Sequence, residues 1–205
     1  MSGETEYHIA KNRLETLIDG IFAIAMTLLV LSIAAPKPPV SQALEILPKA
    51  VFHLFPQFFI FVIAFLVLAI FWLIHHRQFH FIRIVDPRLL WINIFLLIFI
   101  VLVPFSTDMA GDYPEVPVAV LFFHVNILMI GLIFAVHWRH ICHSEHLCDT
   151  RPDDKVIRAR FIDTTLIPIV AVAAILISTI SCPASLLVYI LIPVIILLLN
   201  PRSLF

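Results

Sequence analysis

The chain has 205 residues and a net charge of -1, with 61% hydrophobic and only 13% charged residues and a mean hydropathy of +1.06. Soluble domains carry about 25% charged residues, so this composition excludes a water-soluble globular domain. The near-zero charge and the lack of a basic tail exclude an electrostatic binder of nucleic acid. Cys142, Cys148 and Cys182 make no even disulfide framework. What remains is an integral membrane protein of the all-α class, because a helix crossing takes roughly 20 apolar residues. Eighteen Phe against four Gly point to lipid-facing helices with few small-residue seams.

In chain order, residues 1–12 are polar and begin a helix on the water side. The first apolar segment, 13–35, contains Asp19 and lacks a basic leader, so it reads as a retained helix and not a signal peptide. It stops at Pro36, Pro38 and Pro39. A second run covers 43–80, with Pro48 and Pro56 in its first half and its cleanest apolar part at Phe58–Ile74. A third helix is expected at 89–105, ending near Pro104, and a fourth at 116–136. The longest polar stretch, 137–160, precedes a fifth helix at 162–180, a turn at Cys182-Pro183 and a sixth helix at 185–199. Residues 1–205 thus read as one domain of six transmembrane helices.

Six crossings put both ends on one side. That side then holds eleven of the thirteen Lys and Arg residues, leaving Lys37 and Lys49 opposite. The positive-inside rule makes both termini cytoplasmic and the cell membrane the expected location. The outer 106–115 loop carries Asp108, Asp112 and Glu115 and no base, which places cation-attracting charge there.

Within the first segment, Ile24, Leu28 and Leu31 fall at i, i+4 and i+7, a single helical stripe. Such a stripe normally packs or meets lipid. Thr27 lies about 60° off it, placed either to present a hydroxyl beside the stripe or to bond its own backbone. Arg13 and Asp19 lie about 120° apart and so need partners on other helices. An acid inside a span is costly and usually has a job.

The stretch Asp19 to Ile33, DGIFAIAMTLLVLSI, resembles the first helix of prokaryotic members of the endolysosomal potassium channel family of transmembrane protein 175. The family pattern has an Arg, three residues, Phe-Ser-Asp, and then a Gly-Val-Phe-Ala-Ile-Ala-like run. Arg13 and Asp19 keep their places, while Leu17 and Ile18 replace the Phe and Ser. Trp72 and His75, Trp91 and Asn93, and Pro104-Phe105-Ser106 extend the likeness over about half the chain. The resemblance implies a homotetrameric, potassium-preferring cation channel whose first helix lines the pore. It implies a constriction of apolar side chains at Ile24, Leu28 and Leu31, with Thr27 beside it and no cofactor beyond the permeant ion. It also implies a polar network of Arg13, Asp19, His75 and Asn93, with Trp72 and Trp91 packed nearby. No TVGYG-like loop is present for carbonyl coordination. A ring of apolar side chains can close a pore by dewetting, and it favours the ion that sheds water more easily, giving a modest preference for potassium over sodium.

The other polar residues carry less. His76, Arg77, His80 and Arg83 read as interfacial bases at the end of the second run. His137, His140, Cys142, His143, His146 and Cys148 match no standard zinc spacing, so no metal is expected. His53 with Gln57, and His124 with Asn126, read as helix-to-helix hydrogen bonds. A proton-coupled transporter would carry buried acids near the midplane, often in repeated halves. Asp19 is the one clear acid inside a span and sits off-centre. An enzyme would need convergent catalytic groups, and no such motif is found. A structural membrane subunit is the remaining alternative.

Overall fold

A computed structural model describes residues 10–148 and 153–199. Arg151 and Arg202, counted above for topology, lie outside these residues. Among the described residues every regular element is helical. Among these residues five helices are long and apolar enough to cross a membrane, and a shorter apolar one covers Cys182–Ile195.

The first segment forms α1 (Lys11–Leu28), continued by a 3-10 turn over Leu29–Ser32 and extended backbone at Ile33. The helix therefore closes before the expected residue 35. Ser32 Oγ bonds the Leu29 carbonyl at 2.7 Å, a local bond of the kind that tightens a last turn. Pro36 then disfavours helical geometry at Ala35.

The second run, expected to be continuous, is two helices, α2 (Ala43–His53) and α3 (Phe55–Phe79). Pro56 lacks the N–H that would continue the hydrogen-bond ladder back into α2, so it starts a helix instead. The third, α4 (Pro87–Asp112), runs straight past Pro104, where the sequence reading ended it. In a membrane helix the carbonyl freed by proline finds other partners nearby. The carbonyl left without its usual donor is that of Ile100, and beside it Ser106 Oγ donates to Val103 O at 3.0 Å within the same continuous helix. The fourth, α5 (Pro117–His143), extends seven residues beyond 136 and so absorbs His137 and His140 into the helix. The fifth is α6 (Asp154–Ser178). The sixth segment is broken into α7 (Cys182–Leu187), a 3-10 turn at Val188–Ile190 and α8 (Leu191–Leu199).

α4 and α5 pack along each other, α6 covers the far side of α5, and α1 lies against α4 and α3. α7 and the 3-10 turn after it fold back on α6, while α2 stands apart with no buried residue. Between lipid-embedded helices there is little hydrophobic drive, so close packing and polar bonds hold the bundle. The aromatic core shows this packing, with Phe71 stacked on Phe134 at 5.5 Å and Phe123 edge-on to Tyr189 at 5.5 Å. Gly131 lets α5 approach α6 closely: a Cβ there would stand 2.8 Å from Pro168 Cδ and 3.1 Å from its backbone nitrogen.

The two ends of the bundle are tied separately. Arg83 N donates to Leu147 O at 2.7 Å, joining the α3–α4 connection to the stretch after α5. At the opposite end Gln57 Nε2 donates to Asp112 Oδ1 at 2.6 Å, joining the start of α3 to the end of α4.

Candidate functional site

α1 has two apolar faces. Leu14, Ile18, Phe22 and Ala25 repeat at three and four residues and are buried against the bundle, and Leu29 beyond them is buried as well. Phe22 is about 160° from Ile24 around the axis at 100° per residue. Ile24, Leu28 and Leu31 accordingly point away from the subunit and are 58%, 41% and 73% exposed. Leu17 and Val30 are exposed as well. Thr27 is exposed beside them, and its Oγ1 donates to Ile24 O at 2.8 Å, so its hydroxyl proton is committed to its own helix.

Behind α1 sits a polar cluster. Trp72 Nε1, on α3, donates to Asp19 Oδ1 at 2.9 Å. One turn further along α3, His75 Nε2 lies 2.9 Å from Asn93 Oδ1 on α4. Asn93 Nδ2 is occupied by Leu89 O at 2.8 Å, so the amide oxygen faces the histidine and only accepts. His75 Nε2 must therefore carry the proton and donate. His75 and Asn93 are both fully buried, and the His75 ring packs on Phe79 at 4.4 Å and on Phe22 of α1 at 6.3 Å. The cluster thus links α1 to α3 through Asp19, and α3 to α4 through His75.

The structure brings Asp19, Trp72, His75 and Asn93 together, but not Arg13 or Trp91. Arg13 is exposed near the start of α1. Trp91 is 58% exposed on the outer side of α4, beside Phe95 at 6.3 Å. It stands two residues from Asn93, about 200° around the helix, so the two cannot share a face.

Three further polar groups went unread as connected sets. His124 bridges Tyr189 Oη at 3.0 Å through Nδ1 and Ser185 Oγ at 2.8 Å through Nε2. Ser185 Oγ gives its own proton to Cys182 O at 2.6 Å, so it accepts from His124 Nε2–H, and His124 Nδ1 accepts from Tyr189 O–H. Every proton in that chain has one acceptor. His137 bonds Gln78 Oε1 between α5 and α3. Asn126 Nδ2 donates to Ser106 Oγ at 3.2 Å between α5 and α4, where the sequence had paired Asn126 with His124.

The histidines after 136 divide between several partners. His140 Nε2 and His146 Nε2 both reach Asp86 Oδ2, at 3.0 and 3.3 Å, and His143 Nδ1 donates to Arg139 O at 2.9 Å. Asp86 also caps α4 by accepting from Leu89 N at 2.6 Å. Burial pushes this carboxyl up, but the Leu89 N–H and then the two imidazoles outweigh it and hold Asp86 below its usual value of 3.8. Among the described residues no group of three or more His, Cys, Asp or Glu is arranged to hold a metal ion.

α1 thus turns an apolar stripe outward and is held from behind by the Trp72–Asp19 bond to α3. Residues 13–104 match the family described as endosomal/lysosomal potassium channel TMEM175. The chain is 33% identical to a potassium channel of Streptomyces collinus over 72% of each chain. It is 30% identical to a potassium channel of Chamaesiphon minutus over 69% of this chain and 70% of that one. A mouse relative, an endosomal/lysosomal proton channel, is 22% identical, and the match spans 30% of its length. In three dimensions, the crystal structure of a lysosomal potassium-selective channel TMEM175 homologue from Chamaesiphon minutus superposes with a TM-score of 0.78 at 28% identity, over 94% of this chain and 97% of that one. These proteins are ion channels and not enzymes, and the chain belongs to the TMEM175 family as a prokaryotic member.

Proposed function

We propose that this chain is the subunit of a potassium channel, a homotetramer in the cell membrane whose central pore is lined by α1. In this reading each subunit crosses the bilayer six times, with the broken segment from α7 to α8 as the sixth crossing and both termini in the cytoplasm. The names carried by the bacterial relatives support potassium as the permeant ion. The constriction is formed by rings of Ile24, Leu28 and Leu31, with Thr27 between them. The observation that carries the reading is the exposure of this stripe on a helix whose other face is buried and tied to α3 through Asp19 and Trp72. A helix in lipid needs no such anchoring to stay apolar, whereas a pore helix must hold one rotation.

Apolar rings offer a passing ion no replacement ligands, so the energetic cost follows the ion's own hydration and the preference for potassium over sodium is modest. The test is flux through purified protein in liposomes, comparing the two ions. Leu28→Asn and Leu31→Asn wet the constriction and shift the preference, and Leu28→Ala and Leu31→Ala widen it. Permeability that stays at the unmodified level in all four variants rejects α1 as the pore face. A proton-coupled transporter in place of a channel would show potassium movement that stops when the pH gradient is collapsed.

A further inference from the structure

An open groove of about 660 Å³ runs on the outer side of the bundle between the start of α4 and the end of α5. Its lining combines Arg88, Arg139 and His143 with Trp91, Phe95 and Val136. The charges and the apolar residues are separated by depth. Arg88 is in the first turn of α4 and Arg139 is in the last turns of the antiparallel α5, so the cationic rim is at one end of the bundle. Phe95 lies seven residues further into α4, about 10 Å below Arg88 at 1.5 Å per residue. Trp91 stands between the two levels, where an amphipathic ring meets the membrane interface.

The rim is of one sign. Arg88 and Arg139 have no ion-pair partner among the described residues. The acid closest in sequence, Asp86, is engaged by Leu89 N–H, His140 and His146. Two permanent cations at headgroup depth over an aromatic and aliphatic trough match one occupant, an amphiphile with an anionic head and a hydrocarbon tail. We propose that this groove binds an anionic phospholipid of the surrounding bilayer, with its phosphate at Arg88 and Arg139 and an acyl chain along Trp91, Phe95 and Val136. Basic pockets between transmembrane helices recognise such headgroups, and each arginine near the surface adds about fivefold in affinity for an anionic lipid. A neighbouring copy covering the same face would have to bring acids to this rim, whereas the bilayer supplies phosphate at this depth. The site needs only the membrane-spanning bundle, and it stands or falls independently of the pore.

The experiment is native mass spectrometry of the purified assembly titrated with phosphatidylglycerol or with phosphatidylcholine of the same chains. The unmodified protein retains phosphatidylglycerol preferentially. The double variant R88Q/R139Q loses about fivefold in that preference for each arginine removed. Val136→Trp fills the trough and lowers retention of both lipids with the charge unchanged, so it tests the site even where the double variant fails to fold. Equal retention of the two lipids by the unmodified protein overturns the proposal, as does unchanged retention in a folded R88Q/R139Q or in Val136→Trp. Displacement of the lipid by an equal concentration of inorganic phosphate also overturns it, because the site would then recognise a free anion. So does disulfide crosslinking between copies through Trp91→Cys in native membranes, which would show that a second copy covers the groove.

Discussion

The His75–Asn93 bond gives the sharpest test of how the bundle is held. Asn93→Leu fills the space but removes the one acceptor for His75 Nε2–H, which is then left in a fully buried position. Leu89 O keeps its helical partner, so the orphaned imidazole N–H carries the cost, about 1–3 kcal/mol. His75→Phe is the mirror perturbation. The ring still packs on Phe79 and Phe22, but Asn93 Oδ1 loses its donor, again at about 1–3 kcal/mol. The double variant contains neither orphan and costs much less than the sum of the singles. The expected coupling is at least about 1 kcal/mol, within the range for groups in direct contact. Reversible unfolding of the purified protein in mixed detergent measures all four corners of the cycle. If the two losses add to within about 0.5 kcal/mol, as independent sites do, the bond contributes nothing specific and the reasoning is refuted.

Asp86 yields a pH prediction. Its folded carboxyl is held below 3.8, so its contribution to stability is complete above about pH 4 and is lost as pH falls further toward the folded value. Asp86→Asn keeps an acceptor for Leu89 N–H and cannot titrate, so the difference between its melting curve and the unmodified one shrinks below pH 4; a constant difference down to pH 3 contradicts this. Asp86→Ala also loses the cap and costs about 0.5–2 kcal/mol at neutral pH, read by thermal melting. Gly131→Ala gains helix propensity of about 1 kcal/mol, but drives a methyl into the backbone and ring of Pro168. Overpacking of about 1–3 kcal/mol outweighs the gain, so the melting temperature falls, whereas Gly20→Ala meets nothing within 4 Å inside the subunit and leaves it unchanged or higher. His124→Leu strands the Tyr189 hydroxyl and removes the donor to Ser185, and costs more than Tyr189→Phe, which removes a single bond. Faster proteolysis after α6 in His124→Leu than in Tyr189→Phe is the expected result, and equal rates contradict it.

The polar side of α1 was legible because charges and indoles are rare in apolar segments and each one demands a partner. Asp19 stands out as an acid in an apolar segment, Trp72, His75 and Asn93 join it through the family resemblance, and the structure places the four together. Trp91 was grouped with them by resemblance, although its two-residue offset from Asn93 is a helical-wheel signal against it. The apolar side was not legible in the same way. Leu14, Ile18 and Phe22 recur with the same period as Ile24, Leu28 and Leu31, so periodicity finds two stripes and cannot say which is buried. Helix ends erred where proline was read as in water. Pro104 lies inside α4, where the sequence reading ended the helix, while Pro56, read as interior to the second run, does mark a boundary. The set of His124, Ser185 and Tyr189 had a usable signal, because Ser185 and Tyr189 are four residues apart and share a face. Its partner lies 61 residues upstream of Ser185, and no local pattern connects them.

The polar anchors of α1 have a physical reason that packing does not supply. In lipid, exchanging one apolar face of α1 for the other changes little in transfer energy, since both are apolar and hydrocarbon surrounds the bundle. Packing alone would leave the rotation of α1 weakly specified. The Trp72–Asp19 bond removes that degeneracy. A rotation of α1 by one residue, about 100°, would carry the carboxylate away from the indole and leave an acid facing hydrocarbon. The buried face therefore specifies the helix, and the outer face is free to be shaped by whatever it meets. In the proposed channel that freedom matters, because a constriction of apolar rings has no bonds of its own to set its radius. Variants that weaken the anchor should then change ion preference without touching the stripe. Asp19→Asn, which keeps an acceptor for Trp72, should preserve the preference in liposome flux, and Asp19→Leu should degrade it. Identical selectivity in the two, with both proteins folded, would show that the anchor does not set the pore.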